Sequence, residues 1–329
     1  MKTIKMMVAA AFLFAVAFSA EAAERRIYPC HRLTQAPVVD GRGDDEAWKN
    51  IPEATAFYKQ GLPERYVVAK QTAFKAGWMD DALYLLIRAE EPNPERMIAT
   101  QKDEGEVWID DGFEIFVVPA GVSDYTQLVV NNLGYRYNGR GSAGLKVKDW
   151  QAKAVVGKDA WVLELRIPYD VLSAKMPKEG EVWPVNVGRN IRTGPPDEMC
   201  TSWPLLPSGC FNEVKSYGSF VFEGVAGKNV REEERKMVEP YIRSLQAEIK
   251  KWAGMAGKYE KDLVAAQKSE SQRAEAENLL RIWEQAVKMA AKAEPDCREM
   301  RSVSLACVGL RQKSEDCIAR GMLDLLFKK

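Results

Sequence analysis

The spacing of apolar residues changes once along this chain, near Arg231, and two different periods cannot be buried in one kind of layer. From about Arg25 to Gly224, short alternating or apolar runs are broken by Gly, Pro, Asp and Asn. The run Trp161-Val162-Leu163-Glu164-Leu165-Arg166-Ile167 puts Leu163, Leu165 and Ile167 on one side and Glu164 and Arg166 on the other. That period of two is expected of a half-buried strand. The same texture predicts strands over Gln71–Trp78, Leu83–Ala89, Gly112–Val118, Gln127–Asn132, Gln151–Val156, Val182–Ile191 and Tyr217–Phe222. Strands at such short spacing imply a mainly β domain over residues 25–225, an antiparallel, jelly-roll-like β-sandwich with a short helix near Asp44–Asn50.

Beyond Arg231 the spacing becomes helical. Val238, Ile242, Leu245, Ile249, Trp252, Ala256, Tyr259 and Leu263 lie alternately four and three residues apart, a heptad seam. Ala276, Leu280, Trp283, Val287 and Ala290 repeat the pattern, and Val303, Cys307, Leu310, Cys317 and Leu325 suggest a third helix. Pro240 reads as a helix start and Glu294-Pro295 as an end. Apolar stripes need partners, so residues 231–329 are expected to form an all-α, coiled-coil-like hairpin or three-helix unit. Self-association or a protein partner docking on this tail is the functional alternative to internal packing.

The first residues, Met1-Lys2-Thr3-Ile4-Lys5, precede an apolar run from Met6 to Phe18 and the small-residue exit Ala20-Glu21-Ala22. This is the pattern of a secretory signal peptide over residues 1–22, with a mature chain from about Ala23 in the periplasm or outside the cell. The run is short of the roughly 20 residues of a membrane span, which disfavours a retained anchor helix. No second long apolar stretch follows, so no span is expected after cleavage.

Lys and Arg number 47 and Asp and Glu 47, so no broad basic field invites nucleic acid. There is one histidine, His31, which any Ser-His-Asp or Cys-His mechanism would have to use. It is expected to be solvated or locally hydrogen-bonded. Of the six cysteines, Cys200 and Cys210 bracket a short loop and are expected to form a disulfide, worth about 3 kcal/mol in a chain-entropy model. Cys30, Cys297, Cys307 and Cys317 are left unassigned. The acidic pairs do not face one cleft: Asp110 and Asp111 alternate sides in a strand, Asp44-Asp45-Glu46 suits a helix N-terminus, and Asp80-Asp81 suits a hairpin turn. No glycosidase pair and no catalytic residue is assigned, and no Gly-rich loop calls for a nucleotide cofactor.

The β region instead carries Trp108, Trp150, Trp161, Trp183, Trp203 and Phe211. Aromatic faces with polar groups at the rim suit the C–H faces of sugars. Trp161 and Trp183 sit inside strands and Trp48 beside an apolar stretch, so these three are assigned to the core. Trp108 stands between the polar Lys102-Asp103-Glu104-Gly105-Glu106 and Ile109-Asp110-Asp111, a loop-to-strand junction suited to a ligand-facing ring.

Several segments, in order, resemble family 9 carbohydrate-binding modules, which have a DOMON-like β-sandwich. They are Pro37-Val38-Val39-Asp40-Gly41 with Asp45-Glu46-Ala47-Trp48, then Phe74 to Leu85, then Val107-Trp108-Ile109-Asp110-Asp111-Gly112-Phe113-Glu114-Ile115-Phe116. Trp161 to Pro168, Val185 to Asn190, Thr201-Ser202-Trp203 and Tyr217-Gly218-Ser219-Phe220 complete the match over about Ala36 to Glu223. The resemblance implies sugar binding between two aromatic rings, here Trp108 and Phe211, the second being tryptophan in most of the family. It implies that Glu114 hydrogen-bonds sugar hydroxyls. A basic residue with the same task would fall at Val129, which is apolar, so Arg189 and Asn190 are candidates for the missing donors. It also implies structural calcium, for which Asp103, Asp110 and Glu91 are oxygen donors in suitable regions.

The expected function is therefore an exported carbohydrate-binding protein that serves polysaccharide breakdown or uptake without transforming its ligand. The competing readings are an accessory of a separate glycoside hydrolase, a haem-binding sandwich, in which Met or Lys would supply axial ligands, and a structural cell-envelope sandwich.

Overall fold

The computed structural model describes residues 25–60, 68–147, 149–193, 199–227, 229–293 and 295–327. The expected signal segment lies outside these residues. The first part is mainly β: β1 (Ile27–Arg32), β2 (Tyr58–Lys59), β3 (Thr72–Trp78), β4 (Ala82–Glu90), β5 (Gly112–Val117), β6 (Thr126–Asn131), β7 (Arg136–Arg140), β8 (Ala143–Leu145), β9 (Gln151–Val156), β10 (Ala160–Pro168), β11 (Val182–Asn190), β12 (Cys200–Ser202) and β13 (Gly218–Val225). The expected strands recur as β3, β4, β5, β6, β9, β10, β11 and β13, within a few residues at each end. The short helix near residue 46 is one 3-10 turn, Glu46–Trp48.

The main hydrogen-bonded path runs β8-β7-β6-β5-β11-β13-β1-β3-β4-β10-β9, and off it β12 pairs with β11 and with β2. Its two halves close on a shared core, where Phe113 of β5 meets Trp161 of β10 with ring centroids 4.9 Å apart. The pairing is antiparallel except at β1, which lies parallel to both β13 and β3. The alternation in β10 holds, with Trp161, Leu163, Leu165 and Ile167 buried. Glu164, expected on the solvent side, is buried as well. Its carboxylate accepts from the backbone N–H groups of Asp40 and Gly41 and from Trp48 Nε1. The Val39-Asp40-Gly41 segment and Trp48 are thus held on the sheet by one acid.

The second part is helical: α1 (Val230–Ala266), α2 (Arg273–Ala291), α3 (Cys297–Ala306) and α4 (Leu310–Phe327). The third apolar stripe is cut in two at Gly309, whose φ of 69° suits glycine. Pro240 does not start a helix; it lies inside α1. The distal core stacks Tyr259 on Trp283, centroids 5.2 Å apart, and includes Leu263, Cys307, Leu310 and Cys317. The proximal half of α1 packs on the β domain through Tyr241, Leu245 and Ile249 against Ala56 and Tyr58. Arg26 fastens this seam: its buried guanidinium donates to the carbonyls of Ala56, Thr55, Trp203 and Met237. Among the described residues, no helix is long and apolar enough to cross a membrane.

Candidate carbohydrate-binding face

One register row crosses five strands. Ser202 of β12 pairs with Gly188 of β11, Gly188 with Glu114 of β5, Glu114 with Val129 of β6, and Val129 with Tyr137 of β7. Paired residues project to the same side of a sheet, so these side chains share one face. The intervening residues Phe113, Ile115, Leu128, Val130 and Val187 point the other way, into the core.

Phe211 lies directly on Gly188. A Cβ at that position would come 2.4 Å from the Phe211 ring, so only glycine lets the ring settle this close to β11. The loop is held by Asn186 Nδ2 and the Tyr217 hydroxyl, both donating to the Phe211 carbonyl at 3.0 and 2.8 Å. At the other end of the row, Trp108 meets the Tyr137 ring edge-on, centroids 4.8 Å apart. Of the six aromatic residues singled out in the β region, Trp150, Trp161, Trp183 and Trp203 are buried, and only Trp108 and Phe211 are half-exposed.

Glu114 forms the polar floor between them. Its Oε1 accepts from Asn190 Nδ2 and its Oε2 from Gln127 Nε2, each at 2.7 Å. Burial pushes its carboxyl above the usual carboxylate range, against the pull of Asn190, Gln127 and the Arg192 charge. Two of roughly four acceptor sites are used, which leaves capacity for hydroxyl donors.

The Ile109-Asp110-Asp111 segment braces the Trp108 turn. Asp110 accepts from the N–H groups of Thr100 and Gln101, the Thr100 hydroxyl and Asn131 Nδ2. Asp111 accepts from the N–H groups of Ile98 and Arg192. The Arg192 guanidinium then donates to the carbonyls of Ile109 at 2.9 Å and Trp108 at 2.5 Å.

Trp108, Phe211, Glu114 and Asn190 therefore belong to one face, and Arg189 does not. Alternation along β11 sends Arg189 to the opposite side, where it is buried and donates to Glu91 at 3.3 Å and to the Glu90 carbonyl. The cation near Glu114 is instead Arg192. It was missed with Gln127 and Tyr137, although Arg192 lies two residues beyond Asn190 and Gln127 two before Val129, the spacing of one strand face.

Calcium does not suit the three acids expected for it. Asp110 is filled by N–H and O–H donors as above. Asp103 accepts from the Arg136 backbone N–H and guanidinium, and Glu91 from Lys70 and Arg189. Oxygens already taken by donors, on three separate partners, make no common shell for a hard cation. The expected Cys200–Cys210 disulfide is not formed either. The Cys200 thiol turns to Asn190 Oδ1 at 3.5 Å, while Cys210 is exposed in the loop, and both are free. His31 is buried on β1 and hydrogen-bonded, to the Gly224 carbonyl and Glu233, rather than solvated.

A putative carbohydrate-binding protein from Bacteroides uniformis aligns with a TM-score of 0.50 and 15% identity, over 60% of this chain and 100% of its own. A family 9 carbohydrate-binding module from Caldicellulosiruptor kristjanssonii in complex with cellotriose gives 0.45 and 18%, over 62% of this chain and 96% of its own. The same module in complex with glucose gives 0.45 and 18%, over 60% and 96%. No curated protein matches the chain. The model of the family described as carbohydrate family 9 binding domain-like matches residues 39–224, more than half of the chain and nearly all of the β domain, and the chain belongs to that family.

Proposed function

We propose that this is an exported carbohydrate-binding protein that holds a sugar between Trp108 and Phe211, over Glu114. Membership of a non-catalytic binding family supports carbohydrate recognition without turnover. The observation that carries the clamp is the row Gly188-Glu114-Val129-Tyr137, with one half-exposed aromatic ring seated at each end and a hydrogen-bonded carboxylate between. The rings present flat apolar faces to the C–H faces of a sugar, and Glu114 accepts from its hydroxyls. Asn190 and Gln127 orient the carboxylate, and Arg192 places a positive charge close by. A binder of this kind serves polysaccharide breakdown or uptake together with a separate glycoside hydrolase.

Calorimetric titration of the full chain with a panel of soluble mono- and oligosaccharides tests the reading. Saturable binding that competes between sugars and is weakened in Trp108→Ala is expected. A folded protein that binds none of the panel, or binds equally well without Trp108, overturns the clamp.

A further inference from the structure

His31 is the single imidazole of the chain, and it is almost wholly buried on β1, away from the aromatic face. Its Nδ1 lies 3.1 Å from the Gly224 carbonyl oxygen. A carbonyl only accepts, so Nδ1 carries a proton. In the neutral ring this leaves a lone pair on Nε2. Nε2 faces the Glu233 carboxylate, 3.2 Å from Oε1 and 3.1 Å from Oε2. That contact needs either a second proton on Nε2, which makes it an ion pair, or a metal ion bound between the two groups. A second carboxylate, Glu223, stands 3.9 Å from the ring at Nδ1. One donor atom from each of the three side chains lies within 4.8 Å of the others.

We propose that His31, Glu223 and Glu233 bind a divalent transition ion of the zinc class. Ligands on a shared tetrahedral shell of about 2.0–2.1 Å are themselves about 3.3 Å apart, close to the spacing between Nε2 and Glu233. A ligating histidine characteristically donates its other ring N–H to a carbonyl or carboxylate, which fixes its tautomer, and the Gly224 carbonyl has that position here. One imidazole and two carboxylates, with water as a fourth ligand, suit zinc, and the two acids neutralise its charge. A second ring proton would serve the same two acids with one positive charge, whereas a divalent ion matches the charge of both. The Glu223 backbone is fixed by Trp78 Nε1 donating to its carbonyl at 2.9 Å. Its half-exposed side chain places one carboxylate oxygen 3.9 Å from the ring.

The ligands come from three elements. His31 is on β1, Glu223 on β13, and Glu233 in the first turn of α1. Binding would tie the start of the helical part to the two strands that close the sandwich in parallel. The proposal does not depend on the sugar-binding reading, because none of its residues belongs to the aromatic face.

The test uses the full chain, stripped with chelator and titrated with Zn2+ alone at neutral pH. Thermal melts run in parallel, and Co2+ serves as an absorption probe. One equivalent should bind, without thiolate-to-cobalt charge-transfer bands, and zinc should raise the melting temperature. Glu223→Gln and Glu233→Gln should each weaken affinity by at least about tenfold, and His31→Gln should abolish binding. Affinity should fall as pH is lowered, because the imidazole must be neutral to ligate. Should His31→Gln fail to fold, the partly exposed Glu223 decides the matter. Absence of saturable binding, thiolate bands pointing to the cysteines, or unchanged affinity in folded Glu223→Gln and Glu233→Gln would each overturn the site.

Discussion

Asn190 on β11 donates to Glu114 on the adjacent β5 at 2.7 Å, and this bond turns a nearly buried carboxylate into the oriented floor of an aromatic-rimmed face. Asn190 also receives the Cys200 thiol, so its amide is held at both ends.

Trp108→Ala should weaken sugar binding by roughly 5- to 150-fold, since stacking on an aromatic platform is worth about 1–3 kcal/mol. Trp108 is half-exposed and rests on Tyr137 rather than in the main core, so the melting temperature should change little. Calorimetry and melts on the same variant check both statements. A sharp loss of stability would instead mark the ring as a core element.

Gly188→Ala should displace Phe211, because the new methyl would stand 2.4 Å from its ring. The ring can swing toward solvent, so the fold should survive while affinity falls by an amount comparable to Phe211→Ala. If the two substitutions combined cost no more than either alone, they act through the same platform. Additive losses would show that Phe211 is not positioned by Gly188.

Glu114 makes sugar affinity dependent on pH. Burial raises its folded-state pKa, so it takes up a proton at a higher pH than an ordinary glutamate. Affinity should drop as pH falls through that raised value, because a charged acceptor binds hydroxyls more strongly than a neutral one. The linkage to folding has the opposite sign. Its contribution to stability is fully present below the unfolded-state pKa and is lost as pH rises through the folded one. Glu114→Gln should weaken binding at neutral pH and flatten the acid limb of a titration series.

Arg189→Met should lower stability by about 3–5 kcal/mol, the usual cost of removing one partner from a buried ion pair. Arg189 and Glu91 are both buried, and burial brings the arginine down to about 10. Lys70 remains as a second cation at 2.7 Å and offsets part of the loss. Chemical denaturation measures this. Sugar affinity of the folded variant should be unchanged, since Arg189 faces away from the rings.

Local order sufficed wherever one element determines its own burial. The alternation of Leu163, Leu165 and Ile167 marked a core strand, and the stripe through Leu245, Ile249, Ala256, Tyr259 and Leu263 marked a helix, because side-chain period follows from backbone geometry alone. The segment around Trp108 and Glu114 was likewise legible, since neighbours along one chain carried the motif. What only the tertiary structure decided was the pairing of distant segments. β1 enters parallel between β13 and β3, partners far apart along the chain. Whether Arg189 or Arg192 approaches Glu114 depends on the register of β11 against β5, which pairs Gly188 with Glu114 and Arg189 with Phe113. Phe211 reaches Gly188 only through a loop closed by Asn186 and Tyr217. Sequence therefore determined periods and compositions, which are local properties of the backbone. Register and facing were decided in three dimensions, because they depend on contacts between residues that no local rule relates.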